Sequence, residues 1–144
     1  MKVLFDTNVI LDLMLDRVPF AEVSEHLVSS AESGVLTGCL GATTVTTIHY
    51  LTAKVLGSQR SLDEVRKLLV IFEIAPVNRL VLEKALDLGF SDFEDAVLHE
   101  AARQVGAEAI VTRNQEDFAS SEIPVYSPEE LAQALGFQAP YSGE

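Results

Sequence analysis

One cysteine, Cys39, is all the sequence contains. That excludes an internal disulfide framework and fits a reducing compartment, so a cytoplasmic protein is expected. Long apolar runs are missing too: no stretch approaches the roughly eighteen uninterrupted apolar residues of a membrane span. Asp6, Asn8 and Asp12 break up the apolar N-terminus, so neither a signal peptide nor a span is expected there. Internal repeats, low-complexity tracts and linkers are absent, and 144 residues suit one domain with a core of its own. Positive charge is scarce: 10 Lys and Arg stand against 22 Asp and Glu, a formal net charge of −12. Nucleic-acid binders ordinarily carry a basic footprint, because neutralising phosphates releases counterions. A chain this acidic either gathers its carboxylates around metal cations or leaves nucleic acid alone.

What is present is strand and helix in alternation, at 48% hydrophobic and 22% charged residues, an ordinary soluble composition. Residues 2–5 form a short apolar strand, of the kind buried on both faces of a parallel sheet. It stops at Asp6-Thr7-Asn8, and residues 9–15 take on helical character. A turn at Arg17-Val18-Pro19-Phe20 precedes an amphipathic helix over 21–33, closed by Gly34. A strand over 35–40, a helix over 45–56 and a helix over 62–72 follow, the last apolar at Leu62, Val65, Leu68, Leu69 and Phe72. Pro76 confines the strand at 73–77 to a sheet edge. Helices over 79–88 and 91–105 lead to a strand at 108–112, a brief strand at 124–126, and a helix opened by Ser127 and Pro128. This alternation implies parallel strands joined by right-handed crossovers. The expected fold is α/β, three layers with a short central parallel sheet, over residues 1–136, with 137–144 as a flexible tail.

Three polar clusters stand out: Asp6-Thr7-Asn8, Asp92-Phe93-Glu94-Asp95, and Thr112-Arg113-Asn114 with Asp117. The first and third follow strands directly, where ligands collect in parallel sheets. The second opens a helix, with Asp92 and Asp95 on one face. Each has a plainer use. Asp6 or Asn8 could cap the helix that follows, and Thr112 and Asn114 could begin a turn. Ser91-x-x-Glu94 matches a capping box, which assigns Glu94 to capping and leaves Asp92 open. Asp95 has less reason to be a cap. A hydrophobic core does not explain three such clusters, whereas a hard cation does, since Mg²⁺ or Mn²⁺ takes oxygen ligands. Carboxylates a few ångströms apart do not all ionise comfortably without one.

Taken in order, Asp6-Thr7-Asn8, Asp92-Phe93-Glu94-Asp95-Ala96 and Thr112-Arg113-Asn114-x-x-Asp117-Phe118 resemble the PIN domain, and more narrowly the VapC-like toxins of bacterial toxin–antitoxin pairs. The Arg17-x-Pro19-Phe20 turn and the Ile123-Pro124-Val125-x-Ser127-Pro128-Glu129-Glu130 ending fit that type, and the resemblance covers about residues 1 to 136. It implies a ribonuclease that uses Mg²⁺ or Mn²⁺, with Asp6, Asp95 and Asp117 as catalytic, metal-binding acids. Asn8, Asp92, Thr112 and Asn114 become supporting or substrate-side groups. It also implies an RNA substrate, a small antitoxin partner and a homodimer. One departure stands against the pattern: the early-helix glutamate of the family falls on Thr47, and the segment 43–50 contains no acid. Asp92 or Glu94 could fill that place, and His49 could touch substrate. The rival expectation is a PIN-like binding or assembly module that has lost catalysis. Lys54, Arg60, Arg66 and Lys67 are read mainly as scattered surface charges.

Overall fold

The computed structural model describes residues 1–137. Its centre is Lys2–Phe5 (β1), where Val3, Leu4 and Phe5 are fully buried. Thr7–Met14 (α1) and Ala21–Glu32 (α2) lead to Thr37–Gly41 (β2), then Ala42–Leu56 (α3) and Ser58–Ile71 (α4). Glu73–Ala75 (β3), Arg79–Leu86 (α5) and Phe93–Gln104 (α6) precede Ala109–Val111 (β4), Val125–Tyr126 (β5) and Pro128–Ala134 (α7). The five strands run parallel in the order β3-β2-β1-β4-β5. β3 with Pro76 is an edge, as the missing N–H requires.

Alternation along each strand feeds two cores. Val3, Phe5, Leu40, Ala109 and Val111 face one side, with Leu27 and Val28 of α2, Ile48 of α3, Leu68 of α4 and Leu131 of α7. Leu4, Cys39 and Ile110 face the other, with Val81 and Ala85 of α5 and Ala96 to Leu98 of α6. The result is the expected three-layer sandwich. Burial pushes the Cys39 thiol up to about 11, so it remains an inert thiol.

Phe72 seals the first core edge-on to Phe5, with ring centroids 5.1 Å apart. It lies so close to β2 that a Cβ added at Gly38 would stand 2.6 Å from the Phe72 ring and 3.1 Å from Ala31. The ring is itself packed edge-on against Phe5, which restricts its movement. Gly38→Ala is expected to lower unfolding free energy by about 1–3 kcal/mol, visible as an earlier urea midpoint; an unchanged midpoint would show that the ring yields.

The structure corrects several element boundaries. α3 begins at Ala42, directly after β2, rather than at 45, and α4 at Ser58 rather than at 62. Gly57, at φ 87°, makes the tight corner between them. The expected apolar face of α4 is rotated: Ser61 and Leu68 are buried, whereas Leu62 and Leu69 are 38% and 51% exposed. Of the tail expected at 137–144, Phe137 packs on the core and edge-on to His26; the remainder lies outside the described residues. Among the described residues no helix is long and apolar enough to cross a membrane.

Candidate acid cluster at the carboxyl edge of the sheet

β1 and β4 are neighbours, with Phe5 opposite Val111. The residues that follow them, Asp6 and Thr112, therefore emerge side by side although 106 positions separate them in sequence. The Thr112 hydroxyl donates to Asp6 Oδ2 at 2.8 Å, and the Thr7 N–H donates to Asp6 Oδ1 at 2.7 Å. Asp6 is thus the N-cap of α1 and a member of the cluster at once. Asn8 Nδ2 lies 3.4 Å from Thr112 Oγ1 and 3.5 Å from Asp6 Oδ2, and Asn8 Oδ1 accepts from the Arg113 N–H at 3.4 Å. The Asn114 N–H donates to Thr112 Oγ1 at 3.0 Å. Asn114 takes part through its backbone; its side chain is exposed.

Asp117 lies on a short 3₁₀ helix, Gln115–Phe118, anchored by buried Phe118. Asp95 lies on the first turn of α6, and the cap of that helix is Asp92, whose Oδ1 accepts from the Asp95 N–H at 3.2 Å. This overturns the capping box expected from Ser91 and Glu94: Asp92, left open by the sequence, is the cap, and Glu94 is exposed.

The acids act on one another. Burial raises Asp6 above the ordinary carboxylate range, and the charges of Asp117 and Asp92 add to it, against the hydrogen bonds from Thr112 and Thr7 that favour ionisation. Asp95 is pushed up to about 7, by burial first and then by the charges of Asp6, Asp92, Asp117 and Glu94. Among the described residues no Lys, Arg or His forms an ion pair with Asp6, Asp92, Asp95 or Asp117. Equally, among the described residues no three His, Cys, Asp or Glu side chains are gathered tightly enough to hold an ion together. The donors are hard carboxylate oxygens that suit Mg²⁺ or Mn²⁺ chemically, at a spacing wider than a closed coordination shell.

Beside the cluster is a feature that sequence reasoning left without a role. Asp12, one turn beyond Asn8 in α1, is wholly buried and takes Arg113 in two bonds, Nε–Oδ2 at 2.6 Å and Nη2–Oδ1 at 3.1 Å. Arg17 approaches the same carboxylate at 3.5 Å, and the Arg113 guanidinium stacks 4.0 Å over Phe20. The Arg17-x-Pro19-Phe20 turn thus serves Arg113. The signal was an acid on the apolar face of a helix, which must find a cation.

The remaining candidates lie elsewhere. Thr47, where the family's glutamate would fall, turns its hydroxyl back to the Thr43 carbonyl at 3.1 Å. His49 binds Ser61 of α4 at 2.9 Å, a contact between helices. Lys67 and Arg66 pair with Glu64 and Asp63 on the surface of α4, and Lys54 covers the Tyr50 ring. These are surface charges engaged locally, as expected.

Comparison with known proteins adds three findings. The family described as PIN domain matches residues 2–116. Ribonuclease VapC1 of Aquifex aeolicus (strain VF5) is 26% identical over 137 residues, spanning 92% of this chain and 94% of that protein. Among solved structures, VapBC2 of Rickettsia felis, bound to a DNA fragment from its promoter, superposes at a TM-score of 0.70 with 12% identity, covering 88% of this chain and 98% of the other. A toxin–antitoxin complex from Klebsiella pneumoniae gives 0.66 with 24% identity over 88% and 97%. At these identities the structural likenesses speak to the fold alone.

Proposed function

The chain belongs to the PIN domain family, and on that premise we propose that it is a metal-dependent endoribonuclease acting in the cytoplasm, the toxin of a toxin–antitoxin pair. The observation that carries the reading is the group of acids around Asp6 and Asp95, whose carboxyls burial and neighbouring charge both raise, with no cationic side chain among the described residues paired to them, at the end of a parallel sheet where ligands collect. Asp6, Asp95 and Asp117 would hold Mg²⁺ or Mn²⁺. When bound, the ion supplies an activated water and positive charge for the scissile phosphate. The chain's own residues do the holding. Thr112 and the Thr7 N–H fix both oxygens of Asp6, and such outer partners orient metal ligands. Asn8 ties Asp6 to the loop after β4. Asp92 shapes the turn that presents Asp95.

The cation also supports an RNA substrate for a chain of net charge −12, because it turns an anionic cleft into a phosphate receptor. A small antitoxin partner and a homodimer belong to the same proposal; the similar protein from Aquifex aeolicus is a VapC ribonuclease and the neighbour from Klebsiella pneumoniae is a toxin–antitoxin complex. A second reading, a PIN-like assembly module without catalysis, is favoured by Thr47 standing where an acid is expected.

Single-stranded RNA incubated with the pure protein separates the two. Cleavage is expected with Mn²⁺ and should vanish on adding excess EDTA. Cleavage indifferent to EDTA rejects the metal, and intact RNA in every divalent ion leaves the assembly module.

A further inference from the structure

His99 lies one helical turn beyond Asp95 in α6 and is fully buried. Its Nε2 accepts the N–H of Glu122 at 3.0 Å. A ring nitrogen that accepts is unprotonated, so in the neutral ring the proton is on Nδ1. Nδ1 is buried and has no hydrogen-bond partner among the described residues. Burial also holds the imidazole below its ordinary acidity range, despite the carboxylates of Glu100 and Glu122; Arg103 acts in the same direction as burial. The ring packs on Phe90 at 5.1 Å between centroids, and Phe90 stands edge-on to Phe118 at 5.8 Å. Phe118 is the residue after Asp117. Arg103, one turn further along α6, lies 3.6 Å from the Glu122 carboxylate.

Both links run from α6 to the segment between the 3₁₀ helix and β5. That segment is short and folded on itself: the Ser121 N–H donates to the Phe118 carbonyl at 2.9 Å, and the Ser121 hydroxyl to the Ile123 carbonyl at 2.6 Å. These bonds join Glu122, through its neighbour Ser121, to Phe118 and so to Asp117 beside it. Asp117 and Asp95 are on separate elements that no backbone ladder joins. We propose that His99 is a positioning residue, holding the Asp117-bearing turn against the helix that carries Asp95 and so setting how those two acids stand to one another. The consequence for metal affinity rests on the nuclease reading above; the mechanical link does not.

Two variants separate the acceptor from the mere filling of space. His99→Gln keeps an uncharged acceptor within reach of the Glu122 N–H, whereas His99→Leu fills similar volume and leaves that N–H unpaired. The first measurement is the backbone amide spectrum of residues 116–118 together with hydrogen exchange of the Glu122 amide. His99→Leu should shift those signals and speed that exchange, and His99→Gln should restore both. The second is Mn²⁺ affinity by calorimetry, where His99→Leu should weaken binding roughly ten- to a hundredfold and His99→Gln only slightly. Unmoved 116–118 signals in folded His99→Leu overturn the proposal, as does Mn²⁺ binding equal to the parent's. If the leucine variant does not fold, His99→Gln decides: Glu122 exchange as fast as in an unstructured peptide overturns the link, and parental protection upholds it. A parent that binds no Mn²⁺ sinks the metal site while the amide spectra still judge the link.

Discussion

Asp95→Asn is expected to do two opposite things: abolish Mn²⁺-supported RNA cleavage, by at least about a hundredfold, and make the metal-free protein more stable at pH 8. The second effect follows from the charges around it. Unfolded, Asp95 titrates near 3.8; folded, it is pushed up to about 7 by burial and by four neighbouring acids. The folded state therefore binds this proton more tightly than the unfolded state. Below about pH 4 the carboxyl is protonated in both states and costs nothing. As pH rises from there the unfolded chain ionises first, so folded stability falls, and the penalty is complete above about 7. The full gap corresponds at most to roughly 4 kcal/mol. Asp95 is only partly buried, and solvent screening leaves on the order of 1–2 kcal/mol. In a chain of this size that is a few degrees of melting temperature.

Asparagine keeps the shape and removes the charge, so its melting temperature should exceed the parent's at pH 8 and change less between pH 5 and 8. Mn²⁺ should invert the order. A ligand at a hundred times its Kd stabilises by about 2.7 kcal/mol, and the variant should gain little of it. Differential scanning fluorimetry at pH 5 and 8, with and without Mn²⁺, reads all of this at once. Equal gains from Mn²⁺ in both proteins would remove Asp95 from the metal site.

How much of this was legible in the sequence varies with distance along the chain. That Asp6 and Thr112 lie at one edge of the sheet was readable because both follow apolar strands, whereas their direct pairing depends on β1 and β4 being neighbours, which the sequence left open. The placement of Asp95 near them was readable only through the resemblance, since α6 follows no strand. The cap of α6 was misread for a local reason. Ser91 and Asp92 are both capping residue types one position apart, and the path of the incoming chain chooses between them. The buried face of α4 was misread because an apolar stripe marks what a helix could bury. Its hairpin with α3 instead buries Ser61, hydrogen-bonded to His49 and to Thr52. Asp12 is the plainest case. A helix reading Val9-Ile10-Leu11-Asp12 shows an acid on an apolar face, but the guanidinium that satisfies it comes from 101 residues away.

That ion pair carries the other large effect. Arg113→Met is expected to lower the unfolding free energy by about 3–5 kcal/mol, because removing the bidentate partner leaves the other charge buried and poorly compensated. The two ends are not equivalent. Asp12 has no exposed surface, while the Arg113 side chain is 26% exposed and stacked on Phe20. Without Arg113 the aspartate keeps only the longer contact to Arg17. Without the aspartate, Arg113 can turn its charge toward water. Asp12→Asn should therefore cost clearly less than Arg113→Met, although both break the same pair. A double variant, Asp12→Leu with Arg113→Met, should recover most of the loss, since an apolar pair of similar volume often matches a buried ion pair. Urea unfolding of the two single variants and the double variant closes the cycle. The idea fails if Arg113→Met costs less than about 1 kcal/mol, the range of an exposed pair. The Arg113 N–H that holds Asn8 belongs to the backbone, so both Arg113→Met and Asp12→Asn keep that contact. Mn²⁺ affinity should therefore stay near the parent's in both variants while they remain folded, and a loss confined to Arg113→Met would tie the guanidinium itself to the acid cluster.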